Sequence, residues 1–232
     1  MAAIDCAGRP AREINARIRE LLAREEQIVV RNPAGRHNLG VALLEPGRVR
    51  FEGSVGYYCA GLSDGATVEV TGSAGWGLAE SMLSGEVVVR GNAGNSAGAA
   101  MRGGRVIVHG DAAARAGVSI KGGLLLIGGD CGYMTGFMGQ KGAIIVCGDA
   151  GEGFADSMYE TVCYVGGTVR DPGNDTVVED LAPGDLEFLE TTLARHLPQA
   201  ARRPARDFKK VVSGRKLWNF DRRDWRVWQE AL

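Results

Sequence analysis

Seven glycines recur every nineteen residues through the middle of the sequence: Gly53, Gly72, Gly91, Gly110, Gly129, Gly148 and Gly167. No interval varies and none is skipped. A fixed period with one residue type at one phase is the mark of a structural unit stacked on copies of itself. A nineteen-residue unit is too short for a helix–turn–helix pair, and interior glycine costs a helix roughly 1 kcal/mol per residue.

Aligned on the glycine, the units begin GSVGYYCAGL, GSAGWGLAES, GNAGNSAGAA, GDAAARAGVS, GDCGYMTGFM and GDAGEGFADS. The fourth position is Gly56, Gly75, Gly94, Ala113, Gly132 and Gly151, and the eighth is Ala60, Ala79, Gly98, Gly117, Gly136 and Ala155. Small residues there let neighbouring turns approach, and glycine also supplies positive φ at tight corners. Each unit closes on a β-branched or Leu-rich run. Alternation within it pairs Val68/Val70, Val87/Val89, Val106/Val108, Leu125/Ile127, Ile144/Val146 and Cys163/Val165, which is strand periodicity aimed at an interior. The eleventh position, with Ser63, Met82, Met101, Ile120, Gly139 and Met158, reads as a second inward column. The expected fold is all-β: a right-handed single-stranded parallel β-helix of nineteen-residue coils with short flanking α-helices. Its handedness follows from the crossover rule, and its coils stack about 4.8 Å apart. A leucine-rich-type horseshoe is the competing architecture, but its Asn/Cys-flanked Leu pattern is missing.

A solenoid needs its ends covered. Residues 1–34 read as an N-terminal cap: a helix from Pro10 to Gln27 with Ile14, Ile18, Leu21 and Leu22 on one face, then a strand at Ile28 to Val30. The solenoid is expected over 35–170. Residues 171–197 read as a C-terminal cap, with a helix at Asp185 to Leu197 carrying Leu186, Leu189, Leu193 and Leu197 on one stripe. Residues 198–232 change character: ten Arg or Lys against four acids, with Trp218, Trp225 and Trp228. This basic, aromatic tail reads as a partner-docking segment, because aromatics and Arg are the usual interface anchors.

Charge is balanced, with 27 Lys and Arg against 28 Asp and Glu, so the whole chain gives no nucleic-acid signal. The cysteines Cys6, Cys59, Cys131, Cys147 and Cys163 form no C-x-x-C pair and no ladder, which predicts reduced thiols in a cytoplasmic protein. No run reaches membrane-span length, and neither metal nor cofactor is expected in this chain.

Several columns could carry function. The second position stacks Ser54, Ser73, Asn92, Asp111, Asp130, Asp149 and Thr168; this is either a cation site or a set of side chains capping their own turns. The fifth stacks Tyr57, Trp76, Asn95, Ala114, Tyr133 and Glu152. Tyr57 and Trp76 are docking candidates on an aromatic patch, or pack beneath the N-terminal helix. Gly103-Gly104, Gly122-Gly123 and Gly128-Gly129 precede strands, so no helix N-terminus stands ready for a phosphate. His109 shares a column with Thr71, Arg90 and Cys147 and reads as solvent-facing. No Ser/His/Asp or paired-carboxylate constellation can be argued.

The units GSVGYYCAGL, GSAGWGLAESMLSGEVVVRGNAG and GDAGEGFADSMYE, with their G-x-x-G-x-x-x-[GA] phasing, resemble the C-terminal β-helix domain of the glutamate synthase large subunit. The likeness runs from about Gly35 to Arg170. The ending ARDFKKVVSGRKLWNF is similar to that of stand-alone versions of the domain in three-part glutamate-synthase-like enzymes, including N-methylglutamate synthase. The resemblance implies a non-catalytic subunit in the cytoplasm. Its implied partners are a class II glutaminase-like subunit and an FMN-binding subunit, with an iron–sulfur cluster as a further candidate in a partner. The same β-helix resembles the scaffold subunit of formylmethanofuran dehydrogenase and of formyltransferase/hydrolase complexes, which is one alternative. A free-standing oligomerisation module is another.

Overall fold

The computed structural model describes residues 2–24, 27–198 and 203–215. In chain order the elements are β1 (Ala2–Asp5), α1 (Ala11–Leu22), β2 (Gln27–Arg31), β3 (Gly47–Glu52), β4 (Ala66–Val70), β5 (Glu86–Val89), β6 (Arg105–Val108) and β7 (Lys121–Ile127). They continue with β8 (Lys141–Val146), β9 (Glu160–Val165), β10 (Thr176–Glu179), α2 (Pro183–His196) and β11 (Lys209–Ser213). Strands β1 to β9 lie side by side in sequence order, each parallel to the next, and build a parallel β-solenoid of about seven turns. The repeat sets the register: Val68 pairs with Val87, Val87 with Val106, Val106 with Leu125, and Ile144 with Cys163.

Every expected inward pair from Val68/Val70 to Cys163/Val165 is fully buried, as are Met82, Met101, Ile120 and Met158 in the second column. Ser63 joins that column with a buried hydroxyl that has no partner. A third line inside the rod runs through Val55, Ala74, Ala93, Ala112, Cys131, Ala150 and Val169, bridged coil to coil. These buried residues form one continuous hydrophobic cluster along the rod.

The register glycines have a reason more specific than tight corners. Of the seven, only Gly53 has positive φ. The others donate their N–H to the glycine one coil below at 2.9–3.1 Å. A Cβ on Gly110, Gly129, Gly148 or Gly167 would collide with the side-chain oxygen of Asn92, Asp111, Asp130 or Asp149. Positive φ belongs elsewhere, at the sixth, eighth and tenth positions, for example Ser96, Gly98 and Ala100. Their N–H groups point alternately to the coil above and the coil below: Ser96 to Ala114, Gly98 to Leu78 and Ala100 to Val118. Small residues dominate the eighth position because it combines the left-handed region with an inward-facing Cβ.

Helix α1 ends at Leu22, short of the expected Gln27, and buries the expected Ile14, Ile18, Leu21 and Leu22. It is fixed to the first coil by Asn15, which donates from Nδ2 to the Asn38 carbonyl (2.6 Å) and accepts at Oδ1 from the Gly40 N–H (2.8 Å). Helix α2 does not lie across the end of the rod as expected of a cap. It runs along the flank, with Leu189, Leu193 and Leu197 packed on the outward side chains Ile107, Leu126, Ile145 and Tyr164. Its start meets β9 through Asp185 and Tyr164, and its end meets β5 through His196 and Glu86. Fourteen residues make a helix about 21 Å long, against about 19 Å for four coil spacings.

Part of the segment read as a docking tail belongs to the sheet. Strand β11 inserts antiparallel between β9 and β10, so it extends the solenoid beyond its last coil. Lys210 there reaches Asp185 of α2 at 3.1 Å and Glu179 of β10 at 3.7 Å. Trp218, Trp225 and Trp228 lie outside the described residues.

Candidate docking surfaces

All five cysteines are free and buried. Burial pushes the Cys59 thiol up to about 12 and the thiols of Cys131 and Cys147 up to about 11, and raises those of Cys6 and Cys163. A thiol held protonated in an apolar core neither attacks nor ligates. Chemistry must therefore be sought on the surface.

The second-position column is a hydrogen-bond ladder between coils. Ser54 Oγ accepts from the Ser73 N–H (3.0 Å), Ser73 Oγ from Asn92 (3.1 Å), and Asn92 Oδ1 from Asp111 (2.9 Å). Asp111, Asp130 and Asp149 continue it to the N–H groups of Asp130, Asp149 and Thr168 at 2.7–2.9 Å. Each side chain thus caps the next coil and not its own turn, which corrects the capping expectation in its geometry. The Thr168 N–H, with Arg170 nearby, holds the Asp149 carboxyl below the usual carboxylate range. These oxygens are committed to backbone donors. Among the described residues no three His, Cys, Asp or Glu side chains gather as a metal site.

The fifth-position column is exposed and does not lie under α1. Trp76 is 52% exposed and Tyr57 39%. The rings of Tyr57 and Trp76 stack with centroids 5.1 Å apart and an interplanar angle of 16°. His37 extends the stack at 4.3 Å and 18° and accepts the Tyr57 N–H at Nδ1 (2.9 Å). Gly94 passes so close to Trp76 that a Cβ would stand 2.7 Å from its Cδ1. Tyr57, the middle ring, is stacked on both faces, so it is held edge-outward between His37 and Trp76.

His37 escaped the sequence reading because the first coil is one residue longer: His37 and Tyr57 are twenty apart. Its signal was an aromatic-like ring at the right distance once that insertion is allowed. Tyr133 is exposed three coils above Trp76 on the same column.

The outward face of the sheet is the third surface. On β3 to β6, stacked charges alternate: Glu69 lies between Arg50 (3.8 Å) and Arg90 (2.8 Å), and Glu86 pairs with Arg105 (2.9 Å). His109 is half-buried and not freely solvent-facing as expected. It takes Arg90 Nη1 at 3.0 Å on Nε2, and burial, reinforced by the Arg90 charge, lowers its pKa. It lines a cleft of about 840 Å³ with Glu86, Arg90, Asp111, Arg195 and His196 at the end of α2. The His196 pKa is also lowered, chiefly by burial.

No described helix is long and apolar enough to cross a membrane. No family model matches the chain. A chain in the X-ray structure of the formyltransferase/hydrolase complex (FhcABCD) from Methylorubrum extorquens, in complex with methylofuran, shares the fold, with a TM-score of 0.51 and 23% identity. The match covers 75% of the present chain and 59% of that one, so the present chain spans less than two thirds of it. Protein GlxC of Rhizobium meliloti (strain 1021) is 48% identical over 223 residues, covering 95% of this chain and 97% of the relative. Identity at that level over nearly the full length of both proteins shows that the chain belongs to the GlxC family.

Proposed function

We propose that this chain is the non-catalytic β-helix subunit of a glutamate-synthase-like amidotransferase complex, and that the complex is an N-methylglutamate synthase joining glutamate to methylamine with release of ammonia. The observation that carries the reading is the contrast between a sealed aliphatic interior and a patterned exterior. The rod buries every thiol and spends its polar columns on its own backbone, which suits a strut whose surfaces bind other proteins. The glutamate-synthase-like units between Gly35 and Arg170 support the choice of complex. In this reading a class II glutaminase-like subunit and an FMN-binding subunit, which would also carry any iron–sulfur cluster, supply the chemistry. Tyr57 and Trp76 are docking residues, together with Trp218, Trp225 and Trp228.

A second reading is the scaffold subunit of a formyltransferase/hydrolase-type complex, favoured by the solved chain that shares the fold. Purification of the tagged full-length chain from its native host separates the two. The first predicts stoichiometric co-purification with flavin absorbance and glutamate- and methylamine-dependent release of ammonia. An eluate of amidohydrolase-like chains without flavin would replace it by the second, and a chain that elutes alone would overturn both.

A further inference from the structure

One corner of the rod carries a charge pattern that the rod itself does not neutralise. At the twelfth position the N–H groups of Asp64, Leu83, Arg102 and Lys121 each donate, at 2.8 Å, to the eleventh-position carbonyl one coil below. Their side chains therefore stand in one axial file. Gln140 continues the twelfth position, donating to the Ile120 carbonyl at 2.7 Å, and Lys141 beside it is the register partner of Lys121 at a register shift, so its cation flanks the file. Three cations thus occupy consecutive coils, about 4.8 Å apart along the axis.

Among the described residues none of the three has an acid within ion-pair distance, and Glu160, in register with Lys141, forms no ion pair either. Like charges on adjacent strands repel. The sheet face of the same molecule avoids this by alternating Arg and Glu. Toward the N-terminus the same corner exposes Leu44, Leu62 and Leu83.

Resting on the reading of this chain as a complex subunit, we infer that this corner is a docking line for an acidic amphipathic helix of a partner protein. Its carboxylates meet Arg102, Lys121 and Lys141, and its apolar side chains cover Leu83, Leu62 and Leu44. A helix suits the line because its turn of about 5.4 Å nearly matches the coil spacing of about 4.8 Å, so each turn faces one coil. Protein is favoured over nucleic acid by the leucines and by Asp64, an acid within the file, which would repel phosphate.

The test uses the full-length chain and a fluorescent helical peptide with Glu on three successive turns and Leu on the next two, alongside a counterpart with Gln for Glu. Anisotropy at low ionic strength is expected to show the Glu peptide binding about tenfold or more tighter than the Gln peptide, with the difference erased by salt. The combined Arg102→Glu, Lys121→Glu and Lys141→Glu variant should lose the Glu peptide, whereas Arg115→Glu, at an exposed cation off the line, should not. Circular dichroism checks folding, and Arg102→Gln with Lys141→Gln, a milder pair, should weaken binding in the same direction. Equal binding of the two peptides, no binding of the Glu peptide, or indifference to the three reversals would each overturn the docking line. The subunit reading would still stand if the native complex co-purified.

Discussion

From β3 to the residue after β5 the outward side chains include Arg48, Arg50, Glu69, Glu86 and Arg90; on β7 to β9 they include Leu124, Leu126, Ile145, Val162 and Tyr164. The nineteen-residue strand register is common to both stretches, and both bury an apolar inward face. Yet the first half faces outward as a ladder of ion pairs, and the second is roofed by α2. What covers a solenoid is therefore decided only by the residues that the repeat leaves free. An apolar flank recruits a helix from its own chain, and a charged flank neutralises itself.

The strongest way to break the comparison is to weaken the roof. Leu189→Ala, at a fully buried contact of α2, is expected to cost about 2–4 kcal/mol in urea unfolding. If it costs no more than a substitution on the open half, the roof contributes nothing. Next comes the ladder common to both halves. Gly129→Ala drives a Cβ onto Asp111 Oδ1 and should cost about 1–3 kcal/mol by the same assay. Adding Asp111→Ala should recover part of that loss, and a purely additive double mutant would separate the glycine from the capping oxygen.

On the open half, Glu69→Gln breaks the Arg50–Glu69–Arg90 bridge and should shift stability by less than about 1 kcal/mol, an effect that high salt removes. The smallest effect concerns the border between the halves. His109 and His196 have pKa values lowered below the ordinary 6.5, so the unfolded chain binds protons first. Stability is full above that value and declines as pH falls below it. Replacing both with Gln should flatten the thermal midpoint between neutral and mildly acidic pH; an unchanged slope would assign the loss to other groups.

The inward half of the molecule was legible in the sequence because a strict period exposes register: Val68, Val87 and Val106 can be aligned by counting. The roof was harder to read. The stripe Leu189, Leu193 and Leu197 announces an amphipathic helix but not the surface it seeks. The missing half of that signal was present in Leu124-Leu125-Leu126-Ile127, where strand alternation gives way to a continuous apolar run, the pattern of a strand buried on both faces. The second-position column was legible as hydrogen-bonding residues, but not the coil they serve, since Asp111 could reach its own turn or the next. His37 was hidden by the one-residue insertion that breaks the count. The cation file at Arg102, Lys121 and Lys141 needed the coordinates, because its meaning lies in the acids that do not approach it.

The capping ladder has a mechanical corollary. Each oxygen from Ser54 to Asp149 reaches only toward the following coil, so every repeat carries its own connector and needs nothing from the one after next. The protein is in effect a ruler graduated in steps of about 4.8 Å. Excising or duplicating one whole graduation would reset the separation of whatever grips its two ends while leaving the chemistry of each grip alone.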